Sequence, residues 1–260
     1  MLIGETTYAH EERIANQKMR NKDLEKLETV IRQTCIEERA RVLIPVFAND
    51  RCQNMLTYIY DIFENDESFD IPVLIDSPMA TRVCQTYGAI LDSEDAAKWQ
   101  KVLSWKNIRF VKDSTESRAW RDSNQPVIVL ASSGMMVRGR STGWAHSMLP
   151  HIHDRIIFCG FAAENSLAAT IKEGKQKTIT ISGHRVRNKC QVTDLHSFSS
   201  HMQRDSLLKT YGATECEKVV LVHGEMNGKI EFAKELQEEI SKNNNTGKVV
   251  VANKGYILTL

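Results

Sequence analysis

The sequence predicts an α/β protein with a mainly parallel sheet flanked by helices. Short apolar, β-branched runs recur at 42–47, 127–131, 156–159 and 219–222, and amphipathic segments with three- and four-residue spacing separate them. Turn residues follow the runs directly, as in Ser132-Ser133-Gly134-Met135, Gly160-Phe161 and His223-Gly224-Glu225. Runs that are apolar throughout belong to strands covered on both faces, as parallel strands are.

Taken in order, Leu2-Ile3 reads as the tail of a strand entering Gly4-Glu5-Thr6-Thr7-Tyr8. Leu24, Leu27, Ile31 and Cys35 give an amphipathic helix over about 11–39. After the strand at 42–47 and the polar turn Asn49-Asp50-Arg51, Met55, Leu56, Ile59, Ile62 and Phe63 form the inner face of a second helix. A strand at 72–75 leads to Ser77-Pro78, a helix cap with proline in the first turn. Residues 93–103 read as a helix and 108–111 as a weak strand, with Arg118, Trp120 and Arg121 in the connection beyond. A helix is predicted from Glu164 to Lys172, and a hairpin over 178–186 turns at Ser182-Gly183. Helices near 204–211 and 228–241, and strands at 249–251 and 256–258, complete the chain.

The 260 residues suffice for one large or two smaller α/β domains, and 42% hydrophobic with 26% charged residues is ordinary for a globular chain. No apolar run approaches membrane-spanning length and no signal peptide is visible, so no membrane partner and a cytoplasmic home are expected. The six cysteines contain no C-x-x-C pair, which favours reduced thiols over a disulfide frame. A net charge of +1 means that any polyanion site must be a local patch.

Two histidines stand where side chains do chemistry. His223 directly follows a buried strand, at the sheet edge where open α/β folds bind ligands. His201 lies between Ser197–Ser200 and a helix entrance. Ser133-Gly134 offers backbone N–H groups after a strand, either a plain tight turn or a phosphate cradle. Arg138, Arg140, Arg185, Arg187 and Lys189 form either a solvated basic face or RNA-backbone contacts. His151-Ile-His153-Asp154 has the start of a metal motif, but Arg155 and Ile156 stand where Asp and His are needed.

Glu5-Thr-Thr-Tyr8, Pro45-Val-Phe-Ala48 with Arg51, Asp76-Ser-Pro78, Ser133-Gly-Met135, Gly160-Phe-Ala-Ala-Glu164, Phe198-Ser-Ser-His201 and Leu221-Val-His-Gly-Glu225 occur in this order. Together they resemble the β-CASP nucleases, a branch of the metallo-β-lactamase fold that includes ribonuclease J and the pre-mRNA cleavage endonuclease subunit. The resemblance implies a metallo-β-lactamase segment at 1–8, a β-CASP insertion domain at 9–194 with its parallel sheet flanked by helices, and the C-terminal part of the αββα metallo-β-lactamase domain at 195–260.

It also implies roles. Glu5 resembles the acidic first motif and His201 the second-motif histidine, thought to protonate the leaving oxygen; His223 resembles the third-motif histidine, a ligand to one of two zinc ions. Ser133, Gly134, Arg51 and Glu164 become substrate-phosphate contacts, although Asn165 stands where the family has glycine. A histidine at the third motif goes with RNA as substrate. The family's H-x-H-x-D-H metal motif, which lies upstream of the acidic motif, does not occur in these 260 residues. The expectation is a portion of a zinc-dependent ribonuclease that lacks this N-terminal segment, binds zinc poorly or not at all alone, and is marginally soluble or homo-oligomeric. A non-catalytic RNA-binding β-CASP module is the alternative. A nucleotide-binding doubly wound domain is weaker, because G-x-G-x-x-G is absent.

Overall fold

The computed structural model describes residues 1–9, 16–243, 245–253 and 255. They form two compact units, Arg20–Phe198 and a second made of Met1–Met19 with Ser199–Leu260. Each is organised on its own parallel sheet. The expected strand at 256–258 lies outside the described residues.

The chain starts with β1 (Leu2–Glu5), and the larger unit then opens with α1 (Gln17–Ile31). This helix widens over Arg32–Glu37, where Glu38 N–H bonds back to Gln33 across five residues, and Arg39 ends it with φ at 49°. It stops two residues short of the expected end at 39, and residues 11–15 of that expectation lie outside the described residues. β2 (Arg41–Pro45), α2 (Arg51–Phe63), β3 (Val73–Asp76) and α3 (Pro78–Tyr87) follow. Ser77 caps α3 as expected, its hydroxyl accepting from Ala80 N–H. Next come α4 (Ser93–Ser104), β4 (Ile108–Phe110), α5 (Ser114–Ser123), β5 (Val127–Ala131), α6 (Arg140–Met148), β6 (Arg155–Phe158) and α7 (Leu167–Glu173). The antiparallel pair β7 (Thr178–Ile181) and β8 (His184–Arg187) precedes β9 (Gln191–Asp194).

Two assignments change. Arg118, Trp120 and Arg121 lie on helix α5 rather than in a connection, because Asp113 caps the amides of Thr115 and Glu116 and starts a helix whose apolar residues are just Ala119 and Trp120. Helix α7 begins at Leu167 under the Ser166 cap, which leaves Glu164 and Asn165 in the turn before it, with Asn165 at φ 62°.

The large sheet runs β4-β3-β5-β2-β6-β9, parallel throughout. Alternation along β2 shows why its run is wholly apolar: Val42 and Ile44 join the core beneath α1–α4, while Leu43 joins the core beneath α6 and α7. The helices after β2 and β5 thus cover opposite faces of neighbouring strands, the kind of topological switch point beside which open α/β sheets bind ligands.

The smaller unit pairs β1, β10 (Lys218–Val222) and β11 (Lys248–Val251) in parallel, order β1-β10-β11. α8 (Arg204–Ala213) and α9 (Met226–Lys242) cover one face through Leu207, Tyr211, Phe232 and Leu236 against Val219 and Leu221. No helix among the described residues is long and apolar enough to cross a membrane.

Candidate active site

Parallel pairing places two functional groups at one edge. Glu5 at the end of β1 is in register with Val222, the last residue of β10, so Glu5 and His223 leave the sheet side by side. Thr6 locks the two exits: its N–H donates to His223 O at 3.0 Å and its hydroxyl to Val222 O at 2.8 Å. A Cβ on Gly224 would stand 2.4 Å from Thr6 O, so this approach requires glycine. His223 has φ at 47°, a left-handed conformation that costs a non-glycine residue on the order of 1–3 kcal/mol and persists only where its surroundings impose it.

His201 arrives from the segment before α8. Tyr211 on that helix donates to Glu5 O at 3.0 Å, and Arg204 Nε donates to Ala9 O at 2.9 Å, which fixes the helix against the end of β1. The Glu5 carboxylate then accepts from Thr7 N–H at 2.7 Å and Met202 N–H at 3.3 Å, and lies 3.3 Å from His201 Nδ1. The rings of His201 and His223 are nearly parallel, with centroids 5.3 Å apart, and Tyr8 meets His201 edge-on.

Burial alone would raise the Glu5 carboxyl, but the bonds from His201 and Thr7 outweigh it and hold its pKa near about 2. Glu5 is therefore ionised at neutral pH and accepts a proton-bearing Nδ1 from His201. Thr7 Oγ1 sits 3.1 Å from His201 Nδ1 and 2.9 Å from His223 Nδ1. A hydroxyl can accept twice and donate once. If it accepts from His223 Nδ1–H and shares the single Nδ1–H of His201 with Glu5, both histidines present an unprotonated Nε2 away from Thr7 when neutral. In the sequence the only signal for Thr7 is its place in Glu5-Thr-Thr-Tyr8.

Glu5, His201 and His223 offer one oxygen and two nitrogen ligand atoms within 4.8 Å of one another. That donor set suits zinc, for which carboxylate oxygen and imidazole nitrogen are ordinary ligands. By contrast, Asp154 of the H-x-H-x motif is sunk in the core, where both oxygens bind Arg41, and His153 is exposed beside Glu38. This stretch is a structural ion pair, not a metal centre.

The remaining expected site residues gather in the larger unit at the C-terminal ends of β2, β5 and β6. Arg51 opens α2, Gly134 packs on Phe47, and Met135 receives the amides of Ala163 and Ala168, next to the exposed Glu164. Ser133 directs both its N–H and its hydroxyl to Arg138 O, at 3.3 and 3.0 Å, so its donors serve the turn itself. Sequence spacing could not show this, because the partner is a backbone carbonyl five residues ahead.

At the end of a parallel sheet the structure thus sets an ionised carboxylate bonded to one imidazole, with a second imidazole alongside. Residues 52–171 match the Beta-Casp domain, and residues 185–246 match the Zn-dependent metallo-hydrolase RNA specificity domain. The chain is similar to the transcription termination factor FttA of Methanocaldococcus jannaschii, 28% identical over 89% of this chain and 38% of the relative. It is similar to ribonuclease TTHA0252 of Thermus thermophilus at 29% identity, over 75% of this chain and 46% of the relative. Similarity to cleavage and polyadenylation specificity factor 73 of Drosophila melanogaster is 27%, over 92% and 34%. The chain spans less than half the length of these curated relatives. It belongs to the β-CASP branch of the metallo-β-lactamase superfamily.

Proposed function

We propose that this chain is a portion of a zinc-dependent β-CASP ribonuclease that hydrolyses RNA phosphodiester bonds. The observation that carries the reading is the Glu5–Thr7–His201–His223 cluster, in which a carboxylate orients one imidazole and a shared hydroxyl aligns a second. His201, once protonated, holds its mobile proton on Nε2 and delivers it to the leaving oxygen, while Glu5 stabilises the resulting cation. Glu5 and Thr7 orient the ring. His223 holds metal through Nε2, with Nδ1 anchored to Thr7 as ligand histidines require. Zinc held there supplies Lewis acidity toward the phosphoryl group and its attacking water. A catalytic zinc site needs three protein ligands, so the other ligands, for two ions in the complete enzyme, come from residues outside these 260. Among the described residues β1 is an edge strand with Ile3 exposed, which suits pairing with such a segment or with a second copy. Arg51, Gly134, the turn held by Ser133 and Glu164 serve the substrate phosphates. The free thiols suit a cytoplasmic setting.

Incubation of the zinc-loaded full-length protein with end-labelled RNA tests the reading. Cleavage is expected, and His223→Ala should lose zinc and cleavage together. RNA binding without cleavage by the zinc-loaded protein would overturn the ribonuclease reading and leave a non-catalytic RNA-binding module.

A further inference from the structure

The ribbon of β7 and β8 has two unlike faces. Ile179, Ile181 and Val186 are buried in the core of the larger unit, which seats the ribbon firmly. Register places Thr178 opposite Arg187 and Thr180 opposite Arg185, all on the outward face. We infer that this outward face is a docking surface for the phosphate backbone of single-stranded RNA, an inference that rests on the RNA reading above.

Charge is the first argument. From 172 to 189 the chain carries Lys172, Lys175, Lys177, Arg185, Arg187 and Lys189 against the single carboxylate Glu173, a local charge of +5 in a chain of net charge +1. Lys172 and Lys175 are matched by Asp194 and Glu173. Lys177, Arg185, Arg187 and Lys189 are exposed and form no ion pair among the described residues. Arg140, which the sequence grouped with them, instead points to the buried Asp76 at 3.4 Å. The structure thus separates the structural cation from the available ones.

Geometry is the second argument. Residues two apart on a strand stand about 7 Å apart on one face, so Arg185 and Arg187 present two guanidinium forks in line. The opposed threonines add neutral hydroxyl donors of the kind that bind phosphate oxygens. No Phe, Tyr or Trp occurs between 172 and 189, so the ribbon offers contacts to phosphate oxygens rather than an aromatic platform, and such contacts carry no sequence information. The match to the RNA specificity domain begins at residue 185, on β8 itself.

The test is fluorescence anisotropy of the full chain with two labelled single-stranded RNA oligonucleotides of different sequence, without added zinc, between about 50 and 200 mM salt. Removing two phosphate contacts by Arg185→Ala with Arg187→Ala should weaken both complexes equally at low salt. It should also lower the slope of log affinity against log salt by about 1.4, so that across this range the variant loses about sevenfold less affinity than the parent. Arg185→Lys with Arg187→Lys should keep the slope, and the melting curves of both variants should match the parent because the changed side chains are exposed. An unchanged slope in the alanine variant overturns the inference, as does absence of RNA binding by the parent at low salt. Displacement of RNA by poly-glutamate at equal charge would assign the face to an acidic protein segment and overturn it equally. The outcomes separate from those of the ribonuclease reading: a protein that cleaves RNA while the alanine variant keeps the parent slope loses only this inference, and one that binds through the ribbon without cleaving loses only the other.

Discussion

The hydroxyl of Thr7 lies 2.9 Å from Nδ1 of His223, across 216 positions of chain. The same oxygen reaches His201 Nδ1 at 3.1 Å, so one side chain holds both rings by their Nδ1 edges. Thr7→Val keeps the shape and removes the hydroxyl. Supporting contacts of this kind are worth about 10- to 100-fold in metal affinity or activity. The variant of the full-length enzyme should lose that factor in kcat and bind zinc more weakly, and Thr7→Ser should restore most of both. An active, zinc-replete Thr7→Val enzyme would remove Thr7 from the site.

His201 and His223 are close and nearly parallel, yet their proposed tasks differ. His201→Ala in the full-length enzyme should depress turnover by about 100- to 10,000-fold, the scale of a lost general acid, and leave the zinc content intact. Metal analysis of the purified variant decides the matter. Loss of zinc together with turnover would make His201 a ligand, and Glu5, His201 and His223 would then be a three-donor centre.

Arg41 and Asp154 form a buried pair in which Asp154 also accepts from the Arg41 amide at 2.9 Å. Arg41 further donates to Arg121 O and Ser147 Oγ, so it ties β2 to the ends of α5 and α6. Asp154→Ala leaves a buried guanidinium without its counter-charge and should cost about 3–5 kcal/mol in urea unfolding. Zinc binding by the full-length protein should not change. A loss of zinc on that substitution would restore His151-Ile-His153-Asp154 as a metal site.

Elements whose cause is a local pattern were legible in the sequence. β2 and β5 are unbroken apolar runs because both faces are covered, and α3 announces itself through Ser77-Pro78. β9 has no such pattern, because three of the four residues of Gln191-Val-Thr-Asp194 are polar and the strand closes the sheet at an edge, where only Thr193 of the four is buried. α5 was missed because it is held by its cap and by Trp120 at the rim of a core rather than by an apolar stripe. The order of motifs singled out Glu5, His201 and His223 together. It did not single out Thr7, whose importance comes from contacts 194 and 216 positions away that no local period encodes.

The cap of α5 yields a prediction in pH. Asp113 accepts from Thr115 N–H at 2.8 Å and Glu116 N–H at 3.0 Å, and the amides of Glu116 and Thr115, aided by Arg140 and Lys112, hold its carboxyl below the usual range. A folded pKa below the unfolded one stabilises the protein fully above the unfolded value, and this contribution disappears as pH falls through the folded value. Asp113→Asn keeps an acceptor but cannot titrate. The parent should therefore melt above the variant at neutral pH, and the gap should close as the pH drops through and below the carboxylate range. Other carboxylates titrate alike in both proteins, so the difference in Tm isolates Asp113. A gap that stays constant through and below that range would show that the ionised cap contributes nothing beyond its hydrogen bonds.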